Sequence, residues 1–517
     1  MPKWLSDAAF YEIYPQSFMD TNEDGIGDLN GIIEKLDYIK DLGCNALWIN
    51  PCFDSPFKDA GYDVRDYKKI APRYGNNSDM YRLFGEAHKR DMHVLLDLVP
   101  GHTSEEHPWF LASKKAEENE YSDRYVWTKE AFKRTGDHPC VSGESDRNGS
   151  YMLNFFKCQP ALNYGFLNPT EDWQMSPDSP ACKATLEAMK DVIRFWLDHG
   201  ADGFRVDMAD SLIKDDDEDK SGTCALWRNV REMLDKDYPE AAFVSEWSNP
   251  AQSLKAGFHM DFYLDHHGNG YNSLFRDNEN EQTEDDNSFF KRDANGDIMR
   301  FLNDYLPKYH STCHDGYISF ITCNHDTPRA KRTMSDRELK IAYAFIYSMP
   351  GVPFMYYGDE IGMRYLDIPT KEGGYGRTGS RTPMQWDNSA NYGFSKAPED
   401  TLYLPVDKKP GAPTLENQQS DPDSLFSNVK RIIALRHEQK DLQADGEFEV
   451  IFAEKEKYPF VFRRGSLIVA VNPSNTKCQA HVHNIAKVER KALYKIGDYL
   501  IAGSHIEMAP QSFVILQ

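Results

Sequence analysis

Three acidic residues stand at the ends of short apolar runs that are typical of buried strands. Asp207 ends Gly-Phe-Arg-Val-Asp, Glu246 follows Val-Ser, and Asp326 ends Cys-Asn-His-Asp. Two carboxyl groups that face one bond, one ionised and one protonated, are what glycoside cleavage requires, and a third acid can stabilise positive charge on the sugar ring. These residues are therefore the first candidates for catalysis.

Arg205 lies two positions before Asp207, so on a strand both side chains point to the same face. A neighbouring guanidinium lowers the pKa of a carboxyl group, and an ionised Asp at a strand end can act as a nucleophile. Taken alone, the Arg-x-Asp pattern is more typical of a structural ion pair. His102 and His325 are candidate donors to sugar hydroxyl groups, although a single histidine is more often structural.

The elements that must bring these acids together alternate between strands and amphipathic helices. Predicted strands cover 9–14, 45–49, 93–99, 203–206, 242–245, 317–321 and 354–357, and predicted helices cover 29–42, 80–90, 183–197, 226–234 and 425–435. This alternation predicts an α/β fold with a parallel sheet. About eight such units predict a closed (β/α)8 TIM barrel, whose chemistry lies at the C-terminal strand ends.

Two regions interrupt the barrel pattern. Residues 103–168, rich in charge, Gly and aromatic residues, predict an inserted domain after strand 3. Short alternating strands predict a C-terminal all-β sandwich domain over 446–517. The barrel is then formed by 1–102 and 169–445.

Composition argues against several classes of function. The chain has 59 Lys and Arg residues against 82 Asp and Glu residues, a formal charge of −23, which would repel nucleic acid and anionic lipid. No long apolar run and no signal-peptide pattern occur, so we expect neither a membrane span nor a leader. Nine cysteines without zinc or disulfide spacing predict reduced thiols and a cytoplasmic location.

A second candidate site lies at residues 20–28, where oxygen-bearing side chains alternate around a glycine turn. This pattern suits Ca²⁺, although it is also compatible with a polar turn. A standard EF-hand is excluded because Gly31 stands in the place of the bidentate Glu.

Several blocks, found in order along the chain, resemble the signature blocks of the α-amylase family. They are residues 97–102, 203–207, 246–247 and 324–326. Further blocks resemble the oligo-1,6-glucosidase and α-glucosidase branch, which trehalose synthases and sucrose isomerases share. These are residues 11–15, 61–63, 159–163 and 381–386.

The resemblance implies a retaining, exo-acting α-glucosidase that hydrolyses short α-glucosides from the non-reducing end through a covalent glucosyl-Asp intermediate. Asp207 would be the nucleophile, Glu246 the acid and base, and Asp326 the transition-state stabiliser, with the first two carboxyl groups about 5–5.5 Å apart. Further residues would hold the sugar: Tyr62, His102, Arg205 and His325 along the subsite, with Asp59 and Arg381 as a pair that closes its far end and grips the terminal 4-hydroxyl.

The resemblance also implies one structural Ca²⁺ and no organic cofactor. The calcium ligands would be Asp20, Asn22, Asp24, the Ile26 carbonyl and Asp28. Gly101 stands where many amylases have a calcium-binding Asn, so we do not expect that other calcium site.

Three hypotheses follow for the function. The first is the α-glucosidase, and the second is an α-glucosyl-transferring enzyme or isomerase with the same site. The third is a non-catalytic, amylase-like binding protein, against which the intact acid trio argues. Met208, directly after the proposed nucleophile, leaves both α-1,6 and α-1,4 linkage open.

Overall fold

Eight short parallel strands form a closed barrel in the computed structural model, which describes residues 1–277, 286–373, 376–482 and 492–517. The strands, labelled β1–β8 in chain order, are Phe10–Ile13, Ala46–Ile49, His93–Leu98, Gly203–Val206, Ala242–Ser245, Met260–Phe262, Tyr317–Ser319 and Phe354–Tyr356. They pair in the order β7-β6-β5-β4-β3-β2-β1-β8. A parallel bridge from Ile321 to Phe354 closes the ring between β7 and β8, so the predicted (β/α)8 barrel is confirmed.

Helices connect the strands on the outside of the barrel. They are Leu29–Glu34, Leu36–Leu42, Asn77–His88, Pro108–Ser113, Pro180–Asp198, Ser221–Asp237, Pro250–Ala256, Gly270–Phe275, Ile298–Thr312, Asp336–Ser348, Leu415–Gln419 and Leu425–Glu438. The single helix predicted over 29–42 is two helices, because the backbone leaves helical geometry at Lys35 (φ −100°, ψ 4°). Within the described ranges, no helix is long and apolar enough to span a membrane.

The register of the barrel brings the candidate acids to one edge. Arg205 on β4 is paired with Asp97 on β3, and Val206 is paired with Ser245 on β5. Asp207 directly follows Val206, and Glu246 directly follows Ser245. Both acids therefore lie at the same edge of the sheet. In a (β/α)8 barrel this edge is where catalytic residues gather.

The two interruptions of the barrel pattern have their own cores. The segment between β3 and the helix Pro180–Asp198 contains a hairpin, Cys140–Ser142 with Ser150–Met152, and a buried cluster around Phe166 and Trp173. The C-terminal strands, labelled β9–β16, are Phe448–Phe452, Phe460–Arg464, Leu467–Asn472, Cys478–His481, Ala492–Ile496, Tyr499–Ala502, His505–Met508 and Ser512–Leu516. They form a five-stranded and a three-stranded antiparallel sheet. The predicted C-terminal β domain is therefore confirmed, while the residue limits of the three domains stay predictions.

Candidate active site

A cavity of about 200 Å³ opens at the C-terminal ends of the barrel strands. It is lined by Asp59, Tyr62, His102, Phe155, Phe156, Gln159, Asp207, Met208, Glu246, Asp326 and Arg377. All three candidate acids thus meet in one cavity, although they are far apart in the sequence. Its volume lies below the roughly 300–1,000 Å³ of pockets for drug-sized ligands, so it suits a single sugar unit.

One guanidinium group joins two of these acids. Arg205 donates from Nη1 to Asp207 Oδ1 at 3.1 Å, and its Nη2 lies 2.7 Å from Glu246 Oε2. Arg205 Nη1 also donates to Asp97 Oδ1 at 2.8 Å, and this bond to β3 fixes the position of the Arg205 side chain. The N–H of Met208 donates to the same Glu246 oxygen at 3.0 Å. These contacts fix the Asp207 and Glu246 carboxyl groups relative to each other.

Burial raises the pKa of Asp207 well above its ordinary value, and the negative charge of Glu246 raises it further. Arg205 opposes this shift, but more weakly than Glu246 reinforces it. Arg205 therefore lowers the pKa of Asp207 as expected, but burial and the Glu246 charge outweigh its contribution and the net shift is upward. The site thus holds two neighbouring carboxyl groups, as glycoside cleavage requires.

The pKa of Asp326 is shifted in the opposite direction from that of Asp207, to lower values. Asp326 Oδ1 accepts hydrogen bonds from Arg377 Nη1 at 2.8 Å and from Arg381 Nη2 at 2.7 Å. Burial alone would raise the pKa of Asp326, but His325 and the two guanidinium groups reverse this and hold the pKa well below its usual range. Asp326 is therefore a permanent negative charge at the cavity wall, able to stabilise positive charge on a ligand.

Asp59 and Arg377 form a buried ion pair in the wall of the cavity. Arg377 Nη2 donates to Asp59 Oδ1, and Gln159 Nε2 donates to Asp59 Oδ2 at 2.7 Å. Gly373 packs against this pair, since a Cβ added there would lie 2.7 Å from Asp59 Oδ1. The expected pairing of Asp59 with Arg381 is wrong. Arg381 is 1% exposed and binds Asp326 and a backbone carbonyl behind the cavity wall.

Tyr62 and His102 line the cavity, whereas Arg205 and His325 lie behind its wall. The Tyr62 hydroxyl is 2.6 Å from His325 Nε2, and the two rings stack. His102 Nε2 is 3.0 Å from the Tyr62 carbonyl, and its Nδ1 is 3.0 Å from Asn154 Nδ2. Both histidine rings are thus oriented by protein groups, and burial lowers the pKa of His102 to about 4, so its ring is neutral near pH 7.

Sequence reasoning missed several cavity residues, although some carried a signal. Gln159 opens a block that matched the family resemblance, but no role was assigned to it. Phe155 and Phe156 stand directly before that block as two adjacent aromatic residues in a mainly polar segment. Arg377 lies outside the matched blocks, whereas Arg381, four residues later, opens the block 381–386.

The predicted calcium loop has its carboxylates engaged by the protein. Asp20 accepts a hydrogen bond from the Gly25 N–H at 2.8 Å and from the Ser395 hydroxyl at 2.6 Å, and Asp28 caps the helix that follows. In the described part of the chain, no three His, Cys, Asp or Glu side chains are grouped to hold a metal ion. The calcium site therefore stays a prediction, and we derive no function from it.

The comparisons with known proteins agree on the family to which this chain is similar. A family model described as the catalytic domain of alpha amylase matches residues 12–445. An oligo-1,6-glucosidase of Parageobacillus thermoglucosidasius is 30% identical, over 98% of this chain and 96% of its own length. A trehalose synthase/amylase of Mycolicibacterium smegmatis is 32% identical, over 86% of this chain and 78% of its own length.

The solved structures that resemble this fold include enzymes that rearrange sucrose. An isomaltulose synthase mutant of Erwinia rhapontici NX5, in complex with its natural substrate sucrose, matches with a TM-score of 0.82 and 25% identity. The match covers 100% of this chain and 99% of that one. Glucosidases and sugar-rearranging enzymes therefore both stand among the similar proteins.

Proposed function

The chain belongs to the α-amylase family and is a glycoside hydrolase, and on that premise we propose that it is a retaining, exo-acting α-glucosidase. Its substrates are short α-glucosides, from which it removes glucose at the non-reducing end. The observation that carries this proposal is the gathering of Asp207, Glu246 and Asp326 in one small cavity, whose wall also holds the buried ion pair of Asp59 and Arg377. We infer that this ion pair closes one end of the cavity, which leaves room for a chain terminus and none for a continuing chain.

The proposed reaction has two displacements at the anomeric carbon. In the first, an Asp207 oxygen attacks this carbon, and the bond from the carbon to the glycosidic oxygen breaks. As proposed acid, Glu246 gives a proton to the leaving oxygen, which yields a free alcohol and a β-glucosyl ester of Asp207. In the second, a water oxygen attacks the same carbon, Glu246 takes the water proton, and the ester bond breaks to release α-glucose. Asp326 stabilises the positive charge that develops on the ring.

We expect Arg377 to determine recognition of the terminal sugar. Replacing it with Ala leaves Asp59 buried without its charged partner, so kcat/KM for 4-nitrophenyl α-glucoside should fall about 100-fold. Preference over the 4-nitrophenyl α-galactoside, which differs only at the 4-hydroxyl, should shrink in the same variant. Arg377→Lys keeps the charge but loses the planar fork, so it should give an intermediate loss.

Arg364, which precedes Arg377 in the stretch after β8, provides a matched control. Arg364 is paired with Asp407 at 2.6 Å and is not a cavity residue, so Arg364→Ala should change neither measurement by more than about twofold. If Arg377→Ala keeps both full activity and full preference for the glucoside, the proposed closed subsite is refuted.

A second candidate function uses the same residues. The likeness to trehalose synthase and isomaltulose synthase favours an enzyme that returns the glucosyl group to a sugar acceptor. The deciding experiment incubates the protein with maltose, isomaltose, trehalose, sucrose and kojibiose, and resolves the sugar products. Free glucose as the main product supports the glucosidase, and a rearranged disaccharide supports the transferring enzyme. The structural calcium ion and the cytoplasmic location stay predictions.

A further inference from the structure

A fourth acid and a histidine face each other inside the barrel, behind the wall of the cavity. Glu12 on β1 is completely buried, and its Oε1 lies 3.0 Å from Nδ1 of His325. Asn50, directly after β2, completes the group, because its Nδ2 lies 3.1 Å from both of these atoms. None of the three side chains lines the cavity. The proposed reaction leaves Glu12 without a role.

The partners of the His325 ring determine which of its nitrogens carries hydrogen. Asn50 Nδ2 is a donor only, so at 3.1 Å it requires His325 Nδ1 to be an acceptor. Asp326 Oδ2 lies 3.3 Å from His325 Nε2, and because Asp326 is an anion, a bare lone pair on Nε2 would be repelled. Burial lowers the pKa of His325 well below its ordinary value. The ring is therefore neutral, with its one hydrogen on Nε2.

A bare Nδ1 imposes a condition on Glu12. Two lone pairs 3.0 Å apart would repel each other, so Glu12 Oε1 must carry a hydrogen and donate it to His325 Nδ1. The second oxygen, Oε2, has no hydrogen-bond partner among the residues that the structure describes. A buried carboxylate with one bare oxygen costs far more free energy than a neutral acid. Both atoms thus indicate a protonated Glu12.

The charges around Glu12 agree with this assignment. Burial raises the pKa of Glu12 well above its ordinary value. The hydrogen bond from Asn50 and the charge of Arg205 on β4 oppose the shift, whereas Asp97 on β3 and Asp326 reinforce it. The residues that β2 and β8 pair with Glu12, neither of which is an anion or a cation at neutral pH, are Trp48 and Tyr356.

From His325 the hydrogen bonds continue to the group that orients the proposed nucleophile. His325 Nε2 lies 2.6 Å from the Tyr62 hydroxyl, whose own hydrogen is donated to Asp97 Oδ2 at 3.2 Å. Asp97 also accepts from Arg205 Nη1 at 2.8 Å, and the same nitrogen donates to Asp207. The opposite tautomer would draw the Tyr62 hydrogen to Nε2 and take it from Asp97. The hydrogen on Glu12 therefore sets the direction of every bond in this chain.

We propose that Glu12 is a protonated carboxylic acid whose hydrogen fixes His325 in the Nε2–H tautomer. This tautomer in turn positions two cavity residues, Tyr62 and Asp326. Glu12 is a positioning residue, because it acts through His325 and does not line the cavity. Its effect on turnover rests on the proposed glucosidase function, whereas its protonation does not.

Infrared spectroscopy tests the hydrogen on Glu12 without any assay of activity. The spectrum of the full-length parent minus that of Glu12→Gln, recorded at pH 7, should contain the carbonyl stretching band of a protonated carboxylic acid. An ionised Glu12 would give carboxylate bands in its place, and that result would overturn the inference.

Two substitutions separate the hydrogen that Glu12 donates from the space that it fills. In Glu12→Gln an amide N–H replaces the acid O–H, so kcat for 4-nitrophenyl α-glucoside should stay within about threefold of the parent. Glu12→Leu has no hydrogen to donate, so His325 is no longer fixed and kcat should fall about 10- to 100-fold. KM should change by less than about threefold, because Asp326 acts on charge that develops only in the transition state.

The pH profile of Glu12→Gln distinguishes a neutral Glu12 from a charged one. Replacing a neutral acid with a neutral amide leaves the pKa of Asp207 unchanged, so the acid limb of kcat/KM should not move. Replacing a carboxylate would remove a negative charge, lower that pKa and move the acid limb to lower pH. Such a movement would overturn the inference, as would a Glu12→Gln variant with the same loss of kcat as Glu12→Leu.

Glu360→Leu is the matched control. Glu360 is as buried as Glu12 and accepts hydrogen bonds from the Tyr11 and Tyr38 hydroxyls at 2.7 Å and 2.6 Å, but it is not a cavity residue. Thermal unfolding of both Leu variants measures the folded fraction, and kcat per folded molecule should fall only in Glu12→Leu. A Glu12→Leu variant with full kcat would overturn the inference. If the parent cleaves no α-glucoside, the proposed function fails, and the infrared result alone supports or overturns the hydrogen on Glu12.

Discussion

Replacing Asp207 with Ala should abolish turnover of α-glucosides, with kcat for 4-nitrophenyl α-glucoside reduced by about 10⁴- to 10⁶-fold. Asp207 is the acid that ends β4, and Arg205 Nη1 orients its carboxyl group at 3.1 Å. Without it the anomeric carbon has no protein nucleophile and no covalent intermediate forms. Azide added to the variant should occupy the vacated space and attack α-glucosyl fluoride once, which yields the inverted β-glucosyl azide.

The control for this prediction lies on the same loop. Asp210 follows Asp207 by three residues and is not a cavity residue, so Asp210→Asn should keep kcat within about 10-fold of the parent. Thermal unfolding of Asp207→Ala and Asp207→Asn checks that both variants fold. A folded Asp207→Ala variant that still turns over an aryl α-glucoside would refute the assigned nucleophile.

The barrel could be predicted because most of its strands are recognisable in the sequence as short apolar runs. Strands such as Gly203–Val206 and Ala242–Ser245 are fully buried, so most of their residues are apolar and the run is visible in the sequence. Met260–Phe262 was not predicted, because it has three residues and a charged one, Asp261, at its centre. In the fold Asp261 accepts a hydrogen bond from the Ser245 hydroxyl at 2.7 Å, a cross-strand partner that no local pattern reveals.

The site could be predicted where a residue directly follows a strand, and less well where a long loop delivers it. Asp207 and Glu246 follow β4 and β5, so the topology of the barrel alone brings them together. Arg377 and Arg381 lie on a segment without periodicity, and a short 3-10 helix, Thr378–Ser380, separates them. The sequence resemblance favoured Arg381, which opens the block 381–386, whereas Arg377 is the one that reaches Asp59. The choice depends on tertiary contacts such as the backbone bond from Gly373 to Lys58 at 3.0 Å.

The acid role of Glu246 predicts a loss that depends on the leaving group. Glu246→Gln should lower kcat/KM for maltose or isomaltose by about 10²- to 10⁴-fold, since their alcohol leaving groups need a proton. For 2,4-dinitrophenyl α-glucoside, whose leaving group departs as an anion, formation of the Asp207 ester should be nearly unaffected and its hydrolysis should be slow. Azide added to Glu246→Ala should therefore accelerate turnover and give the retained α-glucosyl azide, the opposite anomer from Asp207→Ala.

Removing the Glu246 carboxyl group should also shift the pH dependence of the remaining activity. After burial, the charge of Glu246 is the largest cause that raises the pKa of Asp207, and the amide of Glu246→Gln carries no charge. The pKa of Asp207 therefore falls, and because the nucleophile must be ionised, the acid limb of kcat/KM for 2,4-dinitrophenyl α-glucoside moves to lower pH. A variant profile whose acid limb stays where the parent has it would contradict the effect of the Glu246 charge on Asp207.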